Sequence, residues 1–166
     1  MAKYKSIIGR AENIHLPARE LSNIPAKVDT GAYLSAIHAT AIEEVTKKSG
    51  KKVLSFRLLE GHPASDTSKK IQVTGYTKTK IQNSFGHSQE RYVVKFKVSI
   101  GGKTFITEFT LADRSMKVFP VLLGRKLLSR RFLVDTELAH IERSILKTKM
   151  KDWLIKDNKA DDGDSV

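Results

Sequence analysis

Val28-Asp29-Thr30-Gly31-Ala32 is the stretch on which the reading of this chain turns. Ile24 to Val28 leads into it as a short extended segment, and Gly31 permits a tight turn just after the acid. Such a turn fixes a carboxylate, sets a hydroxyl beside it as a brace, and leaves room at the glycine for a second loop to pack closely. Alone, the tripeptide is also ordinary turn chemistry, which average composition produces in roughly a few per cent of chains this long. The flanking sequence therefore decides its meaning.

Downstream, Tyr33 to Ala41 mixes small and apolar residues and suits a second buried strand. Near the other end stands Phe119-Pro120-Val121-Leu122-Leu123-Gly124-Arg125-Lys126-Leu127-Leu128. Val118 to Leu123 reads as a short strand entering Gly124, and Arg125 to Arg130 as a brief helix. By itself Leu122-Leu123-Gly124 is a core strand ending in a turn. Set against an early Asp-Thr-Gly, it reads as the second loop of the same site.

Further out, Lys3 to Arg10 reads as a first strand, and residues 11–25 as loop with Pro17 and Pro25 as breakers. Val53 to Leu58 alternates like a strand, Gly61 to Lys70 is polar loop, and Ile71 to Tyr76 and Thr77 to Ile81 are strands. Asn83 to Ser88 is a turn by composition. Arg91 to Ile100 sets Tyr92, Val94, Phe96 and Val98 against polar neighbours, and Gly101-Gly102 joins it to the alternating run Thr104 to Leu111, which predicts a hairpin. Phe132 to Asp135 is a final strand; Asp135-Thr136-Glu137 echoes the acid motif without its glycine and reads as a strand end. Residues 137–156 carry Leu138, Ile141, Ile145, Met150, Trp153 and Leu154 at helical spacing, which predicts an amphipathic helix, and the acidic residues 157–166 read as a disordered tail. The expected architecture is mainly β, closed or sandwich-like, in a single domain over residues 1–156.

The chain has 166 residues, 40% of them hydrophobic, which suits one globular domain with its own core. It has no cysteine, so disulfides and thiolate-bound metal are excluded. Met1-Ala2-Lys3-Tyr4-Lys5 leads only into the short apolar pair Ile7-Ile8, and no stretch approaches membrane-spanning length, so the expected location is cytoplasmic with no membrane partner. The net charge of +12 creates a field that attracts phosphates or acidic peptides, and the excess is spread along the chain.

No metal site is expected. The histidines His15, His38, His62, His87 and His140 form no His-Glu-x-x-His pair. Gly101-Gly102-Lys103-Thr104 imitates a phosphate cradle, but the position of its first glycine is Lys97, so no nucleotide or other cofactor is expected.

The motifs together resemble a bacterial retropepsin-like family that carries the label ATP-dependent zinc protease. The matching segments are Ile8-Gly9-Arg10, Ala26 to Ala32, Ser35-Ala36-Ile37-His38-Ala39, Gly86-His87-Ser88-Gln89-Glu90-Arg91-Tyr92, and Leu122 to Asp135. The resemblance implies an acid-protease β-barrel, to which the sequence pattern adds a short helix after the second loop and a C-terminal helix. It implies a catalytic role for Asp29, with Thr30 bracing the loop and Gly31 letting two loops approach. Ala32 and Arg125, and the block of His87, Glu90 and Arg91 at the position of a retropepsin flap, are then candidates for substrate contact. The alternative for that block is a turn with solvated charges, and for Arg125 an ion pair at a dimer interface.

One Asp-Thr-Gly supplies half of a catalytic pair, so the resemblance implies a homodimer with Asp29 facing its symmetry mate. Members of this family are associated with ATP-grasp enzymes that add glutamates to a ribosomal protein, which implies an acidic or glutamate-tagged substrate and ribosome association. Two other readings stand beside it. One is a non-catalytic module whose basic surface, interleaved with Tyr76, Tyr92 and Phe96, grips RNA or a ribosomal protein. The other is a monomer competent only with a partner.

Overall fold

Alternating apolar residues favour strands that bury one face, and here most of the chain is built of them. The computed structural model describes residues 5–65 and 67–161, with side chains to residue 158. In chain order the strands are β1 (Ser6–Ile8), β2 (Ala11–Leu16), β3 (Leu21–Val28), β4 (Ser35–Thr46), β5 (Lys52–Leu58), β6 (Lys69–Val73) and β7 (Tyr76–Gln82). They continue with β8 (Ser88–Ile100), β9 (Lys103–Ala112), β10 (Val121–Leu123) and β11 (Phe132–Val134). Two helices, α1 (Arg125–Leu128) and α2 (Arg143–Asp161), complete the elements used below.

The protein is mainly β, and its strands close a ring in the order β10–β3–β2–β8–β9–β4, with β4 pairing back onto β10. The short β10 decides this closure. It runs parallel to β3, with Leu122 opposite Lys27, and antiparallel to β4, with Leu122 opposite Ala36. β5 and β6 extend the sheet from the outer half of β4, and β7 pairs with the first half of β8. A bulge between Thr40 and Glu43, with Ala41 at a left-handed φ of 49°, bends β4 from the ring into that outer sheet.

The core fills the ring. Phe96 stands edge-on to Phe56 and Phe109 with ring centroids 6.4 and 5.9 Å away, and Val94 and Val98 are buried beside it. Lys95 and Lys97, between them in sequence, are exposed, as alternation demands. Gly101 and Gly102 both take positive φ, 55° and 74°, and close the β8–β9 hairpin.

Several expected boundaries moved. Residues 11–25 are not loop but most of β2 and β3. Pro17 does break the chain, opening a 3-10 turn, whereas Pro25 sits inside β3. It is tolerated because β10 pairs only from Ala26 onward, so β3 has a neighbour on one side only at Pro25. The first strand ends at Ile8, and the turn at Gly9 is fixed by close contact, because a Cβ there would lie 2.4 Å from the Leu138 carbonyl oxygen.

The C-terminal helix begins at Arg143 rather than at 137, because residues 138–140 are tied down as an extended strap. Arg10 N–H donates to the Leu138 carbonyl (2.8 Å) and His140 N–H to that of Ala11 (2.9 Å). The buried Glu12 carboxylate takes hydrogen bonds at 2.6 Å from both Gly9 N–H and the His140 ring. α2 continues through Asp161, so residues 157–161 are helix and not tail, and residues 162–166 lie outside the described residues. The amphipathic reading also needs correction: α2 buries Leu146, against Ala11 and Phe119, and leaves Ile145 and Ile155 exposed.

Candidate active site

The end of β3 and the end of β10 lie side by side, and that register builds the site. Asp29 N–H donates to the Leu123 carbonyl (2.9 Å), so the loop begins as β10 ends. The loop then folds on itself: Gly31 N–H donates to Asp29 Oδ1 (2.9 Å) and Ala32 N–H to the Asp29 carbonyl (3.3 Å).

The first turn of α1 clamps the loop from behind. Arg125 N–H donates to the Ala32 carbonyl (2.8 Å) and Lys126 N–H to that of Tyr33 (2.9 Å), which occupies N–H groups that a helix start leaves unpaired. Gly124 N–H donates to Ser35 Oγ (3.0 Å) in a buried contact. The Arg125 guanidinium donates to the Thr30 carbonyl (3.0 Å) and lies 5.9 Å from the centre of the Tyr33 ring. Thr30 is exposed, and among the described residues its hydroxyl makes no hydrogen bond. Within one chain its carbonyl, rather than its hydroxyl, carries the bracing.

Asp29 is half-buried and opens on a cleft of about 470 Å³ whose walls include Gly31, Ala32, Leu122, Arg91 and Arg114. The β7–β8 hairpin covers one side with Thr79 to Gln82. Thr79 pairs with Arg91, and these two share a hairpin face with Ile81; all three line the cleft. The hairpin tip is a built turn, in which Asn83 Oδ1 accepts from the Phe85 and His87 N–H groups at 3.0 Å each. Gly86 takes a φ of 81° there.

The candidate residues thus divide. Asp29, Gly31, Ala32 and Arg91 meet in one cleft. His87 and Glu90 are exposed and lie off its walls. Glu90 faces the opposite side of the hairpin, 3.7 Å from Lys78, which also lies 3.5 Å from Glu44 and over the Tyr92 ring. Arg125 lines a different hollow, behind the loop.

Sequence reasoning missed Arg114, for which nothing local marks it out among many basic residues. Three carbonyl and ring contacts seat it. Its N–H donates to His38 Nδ1 (2.8 Å), its Nε–H to the Phe119 carbonyl (3.0 Å), and its carbonyl accepts from Lys117 N–H (2.9 Å). Burial and then the neighbouring Arg91 disfavour its charge, while the Asp29 carboxylate favours it.

Behind Arg114 sit two fully buried histidines, His38 and His62, with ring centroids 5.5 Å apart. His38 Nε2 donates to the Glu60 carbonyl (2.7 Å), and its Nδ1 accepts from Arg114 N–H (2.8 Å). His62 Nε2 donates to the Lys117 carbonyl (2.8 Å), and its Nδ1 accepts from Ala64 N–H (3.1 Å). Every ring nitrogen of the pair is committed to the backbone, which leaves none for a metal. Among the described residues no three His, Asp or Glu side chains come together as a ligand set.

Burial pushes His62 down to about 4. The unfolded chain takes up this proton near pH 6.5 and the folded protein only near 4, so stability falls as pH drops through that window. The loss from this one group approaches about 3 kcal/mol. Urea unfolding at pH 7.5 and pH 4.5 is expected to show most of that loss, with a shallower dependence in His62→Gln. An equally steep dependence in the variant would assign the slope to other groups.

Known proteins fit this geometry. The family model for the RimB-like group, described as retropepsin-like aspartic endopeptidase RimB, matches residues 7–144. The chain belongs to the RimB-like family. A protein of Shewanella pealeana named probable alpha-L-glutamate ligase is 36% identical over 138 residues, 81% of this chain and 29% of that protein. One of the same name from Desulfotalea psychrophila is 34% identical over 137 residues, again 81% and 29%. The chain therefore spans under a third of the length of these relatives. The crystal structure of the Legionella pneumophila protein Lpg0085 superimposes with a TM-score of 0.58 at 26% identity, covering 82% of this chain and 97% of that one. No described helix is long and apolar enough to cross a membrane.

Proposed function

We propose that the chain is one protomer of an aspartic endopeptidase that acts on acidic peptide segments, with two copies contributing one Asp29 each. The observation that carries this is the Asp29 loop itself: a half-buried carboxylate on a clamped turn, opening on a cleft under a flap-like hairpin. Two such carboxylates face to face cannot both ionise cheaply, so the pair holds one proton. The ionised member takes a proton from water as the oxygen attacks the scissile carbonyl carbon. The protonated member gives its proton to the carbonyl oxygen, forming a gem-diol. Collapse of the diol breaks the C–N bond, the amine leaves with a proton from one carboxyl group, and a diol proton returns to the other, restoring the shared state.

Arg91 and Arg114 on the cleft walls support an acidic substrate, as does the net charge of +12. Relatives named as glutamate ligases carry a segment like this chain, which suits a peptidase that removes what a ligase adds. The expected setting is cytoplasmic, next to ribosomal protein carrying such tags. Cleavage profiling of a mixed peptide pool by mass spectrometry tests the reading. Cuts clustered beside glutamates, weaker at high salt, are expected; cuts indifferent to acidic residues at low salt would remove the substrate class.

One observation favours a second reading, a non-catalytic module that binds RNA. Behind the loop a hollow of about 770 Å³ gathers Arg125, Lys126, Arg130 and Arg131 beside Tyr33 and Phe105. It ranks second because most of these cations are engaged already. Lys126 pairs with Glu108 at 2.5 Å, Arg131 donates to the Leu127 carbonyl and covers the Phe105 ring, and Arg125 holds Thr30. Salt-dependent RNA binding without any peptide cleavage would reverse the ranking.

A further inference from the structure

At Arg114 the cleft at Asp29 adjoins further hollows. Arg114 and Leu122 line both it and a neighbouring hollow of about 420 Å³, whose other walls include Lys27, Lys117 and Arg143. Lys27, Phe119 and Arg143 then line a third hollow of about 220 Å³ at the start of α2. The three hollows adjoin along shared walls and together form a groove-like row, with Lys27, Arg114, Lys117 and Arg143 among its cations.

These cations differ from those behind the loop. Among the described residues the Lys27, Lys117 and Arg143 side chains have no hydrogen-bond or ion-pair partner. Arg114 uses its Nε–H on the Phe119 carbonyl, and among the described residues its terminal N–H groups make no hydrogen bond. Among the described residues Glu142, on the wall of the third hollow, is the one carboxylate lining the two outer hollows. Arg10, also there, is turned to the Thr136 and Glu137 carbonyls.

We propose that this groove binds an acidic stretch of peptide, and that Lys27, Arg114, Lys117 and Arg143 select carboxylate side chains flanking the bond held at Asp29. The proposal rests on the peptidase reading and deepens it. An extended peptide advances about 3.3 Å per residue, so linked hollows pass several side chains in turn. Guanidinium and ammonium groups with unused donors recognise carboxylates through charge-assisted hydrogen bonds. A nucleic-acid strand fits less well, because single strands are gripped by rows of exposed aromatic faces, whereas here Tyr33 at the Asp29 end is exposed and Phe119, on the two outer hollows, is 4% exposed.

The test uses fluorescein-labelled hexaglutamate and the Asp29→Asn protein, in which the probe is not consumed. Arg114 is left in place because it fastens the Phe119 carbonyl; Lys27→Gln, Lys117→Gln and Arg143→Gln are combined, all at exposed positions. Hexaglutamate affinity at low salt is expected to fall at least about tenfold in the triple variant, the worth of one or more charged contacts. In the active protein the kcat/KM ratio of glutamate-flanked over glutamine-flanked peptides is expected to fall toward one with the same substitutions. Unchanged affinity in the triple variant overturns the proposal, as does an oligouridylate that binds through the same residues more tightly than hexaglutamate. The two readings fail separately. Cleavage blind to glutamate leaves the peptidase and removes the groove, whereas residue-dependent hexaglutamate binding without any cleavage keeps the groove and removes the peptidase.

Discussion

Asp29→Asn is expected to lower peptide cleavage by at least about 10⁴-fold, the scale on which removal of a group central to covalent bond making falls. The amide has the shape of the carboxylate but takes no proton from water at neutral pH, so the attack on the carbonyl loses its base. The substitution is also mild for the fold. The contact that shapes the loop is Gly31 N–H to Asp29 Oδ1 at 2.9 Å, and an asparagine carbonyl accepts the same bond. Unfolding midpoints of the two proteins are therefore expected to agree, which separates lost chemistry from lost structure.

The same variant tests the shared site. Subunits of wild type and Asp29→Asn mixed equally and allowed to exchange leave roughly a quarter of dimers with two intact carboxylates. Activity per wild-type chain then falls to about half of its unmixed value if both protomers are needed. Activity that stays proportional to the wild-type chains would place a complete site in one protomer or with another partner.

Gly124→Val is expected to be the most damaging single change to the fold near the site. Its backbone, at φ −94° and ψ 174°, is ordinary extended geometry that valine tolerates. The obstacle is space. A Cβ at Gly124 would stand 2.7 Å from the Leu34 carbonyl carbon and oxygen and from the Tyr33 oxygen, and backbone cannot step aside as a side-chain tip can. Relief requires the Asp29 loop to part from α1, which strains the Arg125–Ala32, Lys126–Tyr33 and Gly124–Ser35 hydrogen bonds together. The expected loss is about 3 kcal/mol or more, with Tm down by roughly 6–12 °C and cleavage reduced alongside. Gly75→Ala is the control: nothing lies within 4 Å of a Cβ there, and its stability is expected to stay within about 0.5 kcal/mol of wild type. Equal Tm values for Gly124→Val and Gly75→Ala would mean that the two loops do not pack as closely as described.

Arg91 and Arg125 show how far a motif reaches. Both belong to segments that resemble a retropepsin, yet their neighbours give them different work. Arg91 shares a hairpin face with Thr79 and so enters the cleft. Arg125 turns back to hold the Thr30 carbonyl from behind. A sequence states which residues neighbour each other along the chain, and period-2 alternation carries that information onto a strand face. It does not say which side of a loop a helix will dock on.

Arg114 makes the same point more sharply. Its position depends on Phe119, five residues on, and on His38, 76 residues earlier in the chain and carried there by the closing of the ring. Pro25 is the reverse case, a residue whose local meaning is a break but which the absence of a neighbour on one side allows into a strand.

What the amino-acid sequence determined by itself is therefore what short-range chemistry encodes. It set the turn at Asp29-Thr30-Gly31, the strand and helix start around Gly124, the Gly101-Gly102 hairpin, and the alternation that makes this a β protein. Each follows from dihedral freedom or side-chain period within a few residues. Only the tertiary structure decided that β10 would lie between β3 and β4, bringing residues 29 and 123 within one hydrogen bond. It also placed Arg114 on the same cleft as the acid and set basic-lined hollows side by side between that cleft and α2. These are contacts between segments far apart in sequence, selected by burial of one common core, and no local pattern specifies them.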